Sequence, residues 1–480
     1  MKYKSIIGLE IHTQLKTKTK AFCNCKVEFG QKPNTNICPV CMGHPGSLPV
    51  VNEKMIEYAL LLGRATNSKI NDKTKFDRKN YFYPDIPKNY QITQYDYPIC
   101  YDGNIKILLE DNNMKDIGIT RIHMEEDTGK VFHDKDDNNS LIDYNRAGVP
   151  LLEIVTEPDL RTPSEAYKFL NELKSILRYL DISDANMEKG ELRVDVNVSV
   201  MKKEDEEFGT KVELKNMNSF KAVKKALEYE IDRQIELIKK GKKEKIKQET
   251  RMWLEDKEKT KIMRTKEEAA DYRYFPEPDI PAFHINNDII EKIENIDFEL
   301  PLQKRQRFSK EYNLSDYDSS ILTSEIDLAH YFEKVLEKFD DGKAAANWII
   351  NELLNLMNED GKEIKEIDVT PQKLASILKL IDQDKISGKI GKKLLKEVYN
   401  SGKKPEDIVD EKGWSQVSDS DELENIIKEV LEENNDAVER YKNGEDKLFG
   451  FFMGQIMKKT KGKANPKKTN QLLRKLLKNQ

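Results

Sequence analysis

Alternation between apolar and polar residues in three segments most constrains how this chain can fold. The segments are residues 7–12, 121–125 and 192–200. Because successive side chains of a β-strand point to opposite faces, each segment predicts a strand with one apolar and one polar face. Asparagine and aspartate are poor strand formers, so Asp195 and Asn197 on the third polar face indicate hydrogen bonding rather than a plain solvated surface.

Carboxylates and an imidazole lie on these polar faces. Glu10 and His12 share a face of the first strand, and Glu125 ends the second. Glu153 interrupts an otherwise apolar strand, where a buried carboxylate needs a cation or a hydrogen-bond donor. Such an oxygen-rich set with one nitrogen suits Mg²⁺ and does not exclude Mn²⁺. We predict that these four residues are catalytic and converge in space. For the acidic cluster around Glu125, an ordinary strand end facing water is the alternative.

Four of the five cysteines form two close pairs, Cys23 with Cys25 and Cys38 with Cys41. Two such pairs on two turns usually build one tetrahedral thiolate site, so we predict structural zinc. All four ligands would come from the protein, which leaves no open position for catalysis. This cysteine usage fits a reducing compartment, and Cys100 is expected to be a buried thiol.

The length and composition suggest a cytosolic protein of several domains. At 480 residues a length prior gives about three domains. No apolar run approaches the roughly 20 residues that span a bilayer, and residues 1–5 lead directly into a strand rather than into a signal peptide. The net charge of -5 says little about partners until the charges are located.

The chain divides by its patterns into three regions. Residues 1–292 read as mixed α and β, with the cysteine segment near 23–41 as an insertion; residues 293–404 read as a helical domain, and residues 405–480 as a small helical tail domain. From Lys447 to the end, nine lysines and one arginine occur without an acidic residue. This density predicts a footprint for a polyanion, although basic patches are often only solubilising faces. The candidate RNA-binding residues are Lys458, Lys459, Lys461, Lys463, Lys467 and Lys468.

Two stretches interleave aromatic and basic residues. Residues 75–91 suit stacking on a base and binding of phosphate, with an aromatic-cored loop as the equally weighted alternative. In residues 263–279, Arg264 is a candidate for anion binding, because a guanidinium matches phosphate bidentately. Ion pairing with nearby glutamates is the competing explanation. No Walker-type loop or hydrolase elbow is present, so a nucleotide would be held in another way.

Six blocks of this sequence, in the same order, resemble the B subunits of the aspartyl/glutamyl-tRNA(Asn/Gln) amidotransferases, the GatB family. The resemblance covers the whole chain and is strongest to about residue 280. The blocks are IGLEIHTQL (7–15), NICPVCMGHPGSLPVVN (36–52), RKNYFYPDIPKNYQI (78–92), LRVDVNVSV (192–200), GTKVELKNMNSF (209–220) and DYRYFPEPD (271–279).

The resemblance implies an enzyme subunit that corrects misacylated tRNA. Members bind Glu-tRNA(Gln) or Asp-tRNA(Asn), phosphorylate the side-chain carboxylate with ATP and Mg²⁺, and let ammonia displace the phosphate. The ammonia comes from an amidase A subunit that hydrolyses glutamine, and a small C subunit holds the two together. The implied fold is α+β: a cradle domain around an antiparallel sheet, a helical domain, and a tail that contacts tRNA.

The resemblance also suggests roles for particular residues. Glu10, His12 and Glu125 match positions expected to hold Mg²⁺. Lys79 and Tyr81 fall in a block expected to meet the nucleotide, and we group Arg264 with them. Not every member needs the cysteines, which fits structural zinc.

Two other functions compete with this hypothesis. A non-catalytic RNA-binding protein would explain the cysteines and the basic tail, but it would gain nothing from buried carboxylates. A stand-alone ligase using free ammonia would differ only in lacking an amidase partner. Since nothing in the chain resembles a glutaminase, we expect an outside source of ammonia.

Overall fold

The computed structural model describes residues 2–111, 113–133, 139–265, 271–415, 420–460 and 463–479. The chain falls into two compact units, Met1–Leu302 and Gln303–Gln480. The first combines sheets with helices and the second is helical, which confirms the α+β class. None of the helices in these ranges combines the length and the apolar character needed to cross a bilayer.

All strands of the described ranges belong to the first unit. In chain order they are β1 (Tyr3–Gln14), β2 (Lys69–Ile70), β3 (Lys73–Thr74), β4 (Asp77–Asn80), β5 (Tyr90–Thr93), β6 (Cys100–Leu108), β7 (Met114–Glu126), β8 (Lys130–His133), β9 (Ser140–Asp143), β10 (Pro150–Thr156), β11 (Leu192–Lys202), β12 (Val212–Lys215), β13 (Glu249–Leu254), β14 (Lys259–Thr265), β15 (Phe275–Pro276) and β16 (Phe283–His284).

A nine-stranded sheet forms the body of this unit, in the order β14-β13-β12-β11-β1-β10-β7-β6-β2. Its pairs are antiparallel except β12 with β13, so the predicted antiparallel sheet is in fact mixed. The first strand lies in the middle, between β10 and β11. A small sheet, β15-β4-β5, and two strand pairs, β16-β3 and β8-β9, accompany the large one.

Helices cover the apolar face of the large sheet. They are α1 (Glu53–Ala65), α2 (Pro163–Tyr179) and α3 (Phe220–Lys239), with the shorter α4 (Asn287–Glu294) against α1. Each of the three long helices begins at a residue whose side chain accepts a backbone N–H of the first turn: Asn52, Thr162 and Ser219. Their apolar residues join those of β1, β7, β10 and β11 in one continuous core.

The second unit has two separate apolar cores, one with members from Phe308 to Val409 and one from Leu423 to Leu477. The division into three domains at residues 292 and 404 stays a prediction. The helices, with α5 beginning at the edge of the first unit, are α5 (Pro301–Glu311), α6 (Asp316–Leu322), α7 (Ile326–Leu336), α8 (Gly342–Trp348), α9 (Leu354–Asp360), α10 (Pro371–Asp382), α11 (Gly388–Ser401), α12 (Pro405–Lys412), α13 (Ser420–Glu433), α14 (Asn435–Lys442), α15 (Leu448–Lys459) and α16 (Pro466–Asn479).

Candidate active site

A row of ionisable side chains crosses the polar face of the large sheet. His12 of β1 is paired with Glu153 of β10, and Glu153 is paired with His123 of β7. Since neighbouring strands lie about 4.8 Å apart, side chains at these positions meet. The Nε2 atoms of His12 and His123 lie 3.2 and 3.3 Å from Oε2 of Glu153. Glu153 is thus held between two imidazoles.

Glu125 and Glu10 complete this cluster. Oε1 of Glu125 lies 3.4 Å from Nε2 of His12, and Oε2 accepts a hydrogen bond of 3.3 Å from Thr93 Oγ1. The ligand atoms of Glu10, His12 and Glu153 lie within 4.8 Å of one another, and so do those of His123, Glu125 and Glu153. The four residues predicted as catalytic therefore lie together, and Glu153 belongs to both groups.

The cluster carries excess negative charge. Burial alone would lower the pKa of His12, but its hydrogen bond to Glu153 and the charge of Glu125 outweigh burial and raise that pKa to about 9. Burial and the charge of Glu153 raise the pKa of Glu10. Against the cost of its own burial, the imidazoles of His123 and His12 hold the pKa of Glu153 well below its usual value. A divalent cation would relieve this repulsion between carboxylates.

His123 also belongs to the carboxylate cluster. The sequence pattern predicts it on the same strand face as Glu125, but no role was predicted for it. It is buried, and its Nδ1 has no hydrogen-bond partner among the residues described. The alternation over residues 121–125 was the signal that could have found it. With carboxylate oxygens as the majority and imidazole nitrogens as the minority, the donor set fits Mg²⁺ or Mn²⁺. The predicted ligands Glu10, His12 and Glu125 are spread over the two groups, which Glu153 joins.

Lys79 and Tyr81 lie beside the cluster. The charge of Glu125 raises the pKa of Lys79 despite the opposing effect of burial, and burial and the same charge raise the pKa of Tyr81. Lys79 Nζ also lies 4.9 Å from the centre of the Tyr272 ring. An ammonium at this place could meet a phosphate group bound next to the carboxylates.

Arg264 does not join them. It lies on β14, four strand spacings from β1, which corresponds to about 19 Å. Its Nε donates to Thr250 Oγ1 at 3.4 Å, and its Nη2 lies 4.0 Å from Oε2 of Glu213. The geometry therefore favours an ion pair, with a glutamate that the sequence did not point to.

A second polar cluster anchors the end of β7 and was missed by the sequence analysis. The buried carboxylate of Asp127 accepts hydrogen bonds of 2.8 Å from both Gln14 and Arg193, and Arg146 lies 3.6 Å away. Burial alone would raise the pKa of Asp127, but the guanidinium groups of Arg193 and Arg146 lower it. Because Gln14 lies on β1 and Arg193 on β11, the carboxylate ties three strands together two residues after Glu125.

The four clustered cysteines form a separate site. Their sulfur atoms lie within 4.8 Å of one another, between β1 and α1. The backbone N–H of Cys38 donates to Cys41 Sγ at 3.2 Å, and Nζ of the fully buried Lys20 lies 3.7 Å from the same sulfur. A hydrogen bond from Cys23 and the charge of Lys20 lower the pKa of Cys41 to about 4, although burial opposes them. Four convergent sulfurs fit zinc.

The predicted RNA-binding lysines lie on and between α15 and α16. Lys458, Lys463 and Lys467 are exposed. Lys459 pairs with Glu433 at 2.7 Å and with Glu429 at 3.0 Å, and Lys468 lies 3.7 Å from Asp384. Lys461 lies outside the described residues.

The structure has a sheet-containing domain that carries the carboxylate cluster, followed by a helical region, and two family models match these two parts of the chain. Residues 5–291 match the model of the GatB/GatE catalytic domain. Residues 330–477 match the model of the GatB domain. The chain therefore belongs to the GatB family and is an enzyme subunit.

Full-length relatives carry the same family name. The chain is 55% identical over 474 residues to the B subunit of the aspartyl/glutamyl-tRNA(Asn/Gln) amidotransferase of Thermoanaerobacter pseudethanolicus, covering 99% of both proteins. It is 53% identical to the corresponding protein of Carboxydothermus hydrogenoformans, covering 98% of both, and 51% identical to that of Persephonella marina, covering 100% of both.

Proposed function

We propose that this chain amidates misacylated Glu-tRNA(Gln), Asp-tRNA(Asn) or both, using ATP and ammonia supplied by a glutaminase partner. It would work in the cytoplasm, in a complex with an amidase A subunit and a small C subunit. The observation that carries the proposal is the convergence of Glu10, His12, Glu125 and Glu153 on one face of the sheet, in a member of this family.

The reaction requires activation of the side-chain carboxylate. Ammonia does not displace an oxygen from a free carboxylate, because oxide is a poor leaving group. One oxygen of the substrate carboxylate attacks the γ-phosphorus of ATP, and the bond from that phosphorus to ADP breaks. Ammonia then attacks the carboxyl carbon, and phosphate leaves with the electrons of the carbon–oxygen bond. The proton lost from nitrogen passes to the departing phosphate. The result is an amide, ADP and inorganic phosphate.

The chain's own side chains would position these reactants. Lys79, whose pKa the charge of Glu125 raises against the effect of burial, would neutralise phosphate oxygens. Glu10, His12, Glu125, Glu153 and His123 would hold the divalent cation. Bound there, Mg²⁺ would offset the charge that develops on the transferring phosphoryl group. Tyr81 and Tyr272, which contact each other at 5.7 Å between ring centres, would exclude water from that side.

The decisive experiment follows amide formation on Glu-tRNA and Asp-tRNA. The purified chain is supplied with ATP and ammonium, and then with glutamine and the partner subunits. Amidation with ammonium, and with glutamine only when the partners are present, supports the proposal. Absence of amidation in both settings refutes it.

Glu125→Ala tests the assigned face directly. It should abolish amide formation while tRNA affinity stays largely intact, because Glu125 is not among the residues predicted to contact RNA. Glu110→Ala, at an exposed position, is the matched control. A fully active Glu125→Ala variant would remove this carboxylate from the mechanism.

A further inference from the structure

Exposed aromatic rings surround the small sheet that lies beside the candidate active site. Phe82 is 67% exposed and Tyr95 is 56% exposed. Both follow strands of that sheet, Phe82 after β4 and Tyr95 after β5. We call Phe82, Tyr95, Tyr274 and Arg273 the aromatic rim. Because β4 and β5 are antiparallel, Phe82 and Tyr95 lie at opposite ends of their pairing. Tyr274 is stacked on Tyr95 and its neighbour Arg273 contacts Phe82, so these two residues connect the exposed rings. Large exposed rings of this kind mark an interaction surface.

Two rings of the rim are already stacked. The centres of Tyr95 and Tyr274 lie 4.2 Å apart, with 12° between the ring planes. Stacking covers one face of Tyr95, while its high exposure shows that much of the remaining ring meets solvent. The outer ring is thus held in place before anything binds, which reduces the conformational entropy that binding would cost. A further flat ring could extend the stack.

The stack leads inward to the carboxylate cluster. Tyr274 contacts Tyr272 with 6.1 Å between ring centres, and Tyr272 lies under the ammonium of Lys79. From the other side, Thr93 donates to Glu125, and Thr93 precedes Tyr95 by only two residues. These contacts make the aromatic rim a direct neighbour of the carboxylate cluster, most of which is buried.

A cation at the rim is available for an anion. The guanidinium carbon of Arg273 lies 5.6 Å from the centre of the Phe82 ring, and within the described ranges Arg273 makes no ion pair with a carboxylate. The neighbouring Arg78, in contrast, forms a bidentate pair with Glu277. An arginine beside exposed rings combines a stacking surface with a phosphate ligand.

We propose that the aromatic rim stacks the unpaired bases at the 3′ end of the aminoacyl-tRNA, with Arg273 on a phosphate between them. This inference rests on the proposed function. The side-chain carboxylate to be activated belongs to the aminoacyl group that is esterified to the terminal ribose, so the last nucleotides must lie beside the cluster while it reacts. A rim contiguous with the cluster meets that requirement, whereas a protein partner seated on it would cover the approach to the cluster. Stacking also tolerates any base, so the rim would secure the shared 3′ end rather than select the tRNA.

The test uses the full chain in complex with its partner subunits and a tRNA that carries 2-aminopurine in place of the terminal adenine. Stacking quenches the fluorescence of this base. We expect quenching with the wild-type chain and with Tyr95→Phe, and its loss with Tyr95→Leu. Because loss of one stacking ring weakens binding of a base between about fivefold and a hundredfold, Tyr95→Leu should raise the KM for aminoacyl-tRNA within that range.

Phe208→Leu is the control, since Phe208 is 60% exposed on the connection between β11 and β12. Phe82→Leu serves as a second variant. If both rim variants match the wild type in quenching and in KM, the inference is overturned. It is also overturned if Tyr95→Leu weakens assembly of the complex and leaves quenching unchanged, because the rim is then a protein contact. A wild-type complex that does not amidate refutes the proposed function instead, and the fluorescence titration, which needs no turnover, still tests the rim.

Discussion

Nε2 of His12 and Oε2 of Glu153 lie 3.2 Å apart, across the pair formed by the first strand and a strand from more than 130 residues later in the chain. Glu153→Gln should lower the rate of amidation by roughly 100-fold, because the amide keeps the shape but loses the charge that both imidazoles face. The measurement is kcat for amide formation at saturating ATP. Glu157→Gln, at an exposed position after the same strand, should keep the wild-type rate. Equal rates for both variants would contradict the shared role of Glu153.

Lys20 is expected to stabilise metal at the cysteine site. In Lys20→Met the buried Cys41 sulfur loses the ammonium that lies 3.7 Å from it, so zinc should dissociate on the order of tenfold faster into a chelator. Zinc release is followed with a chromogenic chelator and checked against one equivalent of zinc per chain. Lys26→Met, at an exposed position in the same segment, is the control. Wild-type release kinetics in Lys20→Met would show that its charge does not act on the metal.

Exposed lysines of the tail should account for part of the salt dependence of tRNA binding. Changing Lys458, Lys463 and Lys467 to glutamine removes three positive charges, and the slope of log K against log salt should fall by roughly two. The slope is measured by titrating tRNA at several salt concentrations. An unchanged slope would refute the footprint. The control changes three exposed lysines elsewhere in the same unit, Lys338, Lys396 and Lys404.

Point substitutions are preferable to deletion of residues 447–480. Helices α15 and α16 bury Phe452, Ile456 and Leu473 in the second core of the helical unit. Deletion would therefore unfold that core as well as remove charge, and the two effects would not be separable.

Gly63 should be sensitive to a single added methyl group. A Cβ at this position would lie 2.4 Å from Sγ and 3.3 Å from Cβ of the buried Cys100. Gly63→Ala should lower the free energy of unfolding by about 1–3 kcal/mol through overpacking. Adding Cys100→Ala removes the sulfur and should recover part of the loss, so a denaturant-unfolding double-mutant cycle measures the contact. Gly388→Ala, which meets nothing within 4 Å, is the control. Additive losses in the cycle would contradict the clash.

Local pattern was enough to predict several of the longer elements of the first unit. The signature Thr-Pro-Ser-Glu-Ala at residues 162–166 predicts a helix over about residues 164–180, and this helix is α2 (Pro163–Tyr179). The alternation over residues 192–200 lies within β11. Cys100 is buried, as expected. These features depend on neighbouring residues in the chain, which is the information that a sequence pattern carries.

Errors arose where distant contacts or single backbone angles decide the structure. Alternation over residues 210–219 predicts a further strand there. The observed strand ends at Lys215, because Asn216 takes a left-handed φ of 68° and its side chain donates to the carbonyl of Trp253. The helical pattern over residues 319–339 predicts one helix, whereas the structure has two in this part of the chain, α6 and α7. Strand order, which places His123 beside Glu153 and Arg264 far from both, depends on pairings that no local pattern specifies.

The central position of β1 has a consequence for synthesis on the ribosome. Its pairing with β11 reaches from Tyr3 to Lys202, and β10 on its other side also comes late. At the usual pace of translation, the first strand waits roughly 10–40 s for both partners. During that time Leu9 and Ile11, buried in the finished protein, are available to chaperones. A nascent chain that ends before Glu153 lacks the residue shared by both groups of the carboxylate cluster, so it cannot form the candidate metal site.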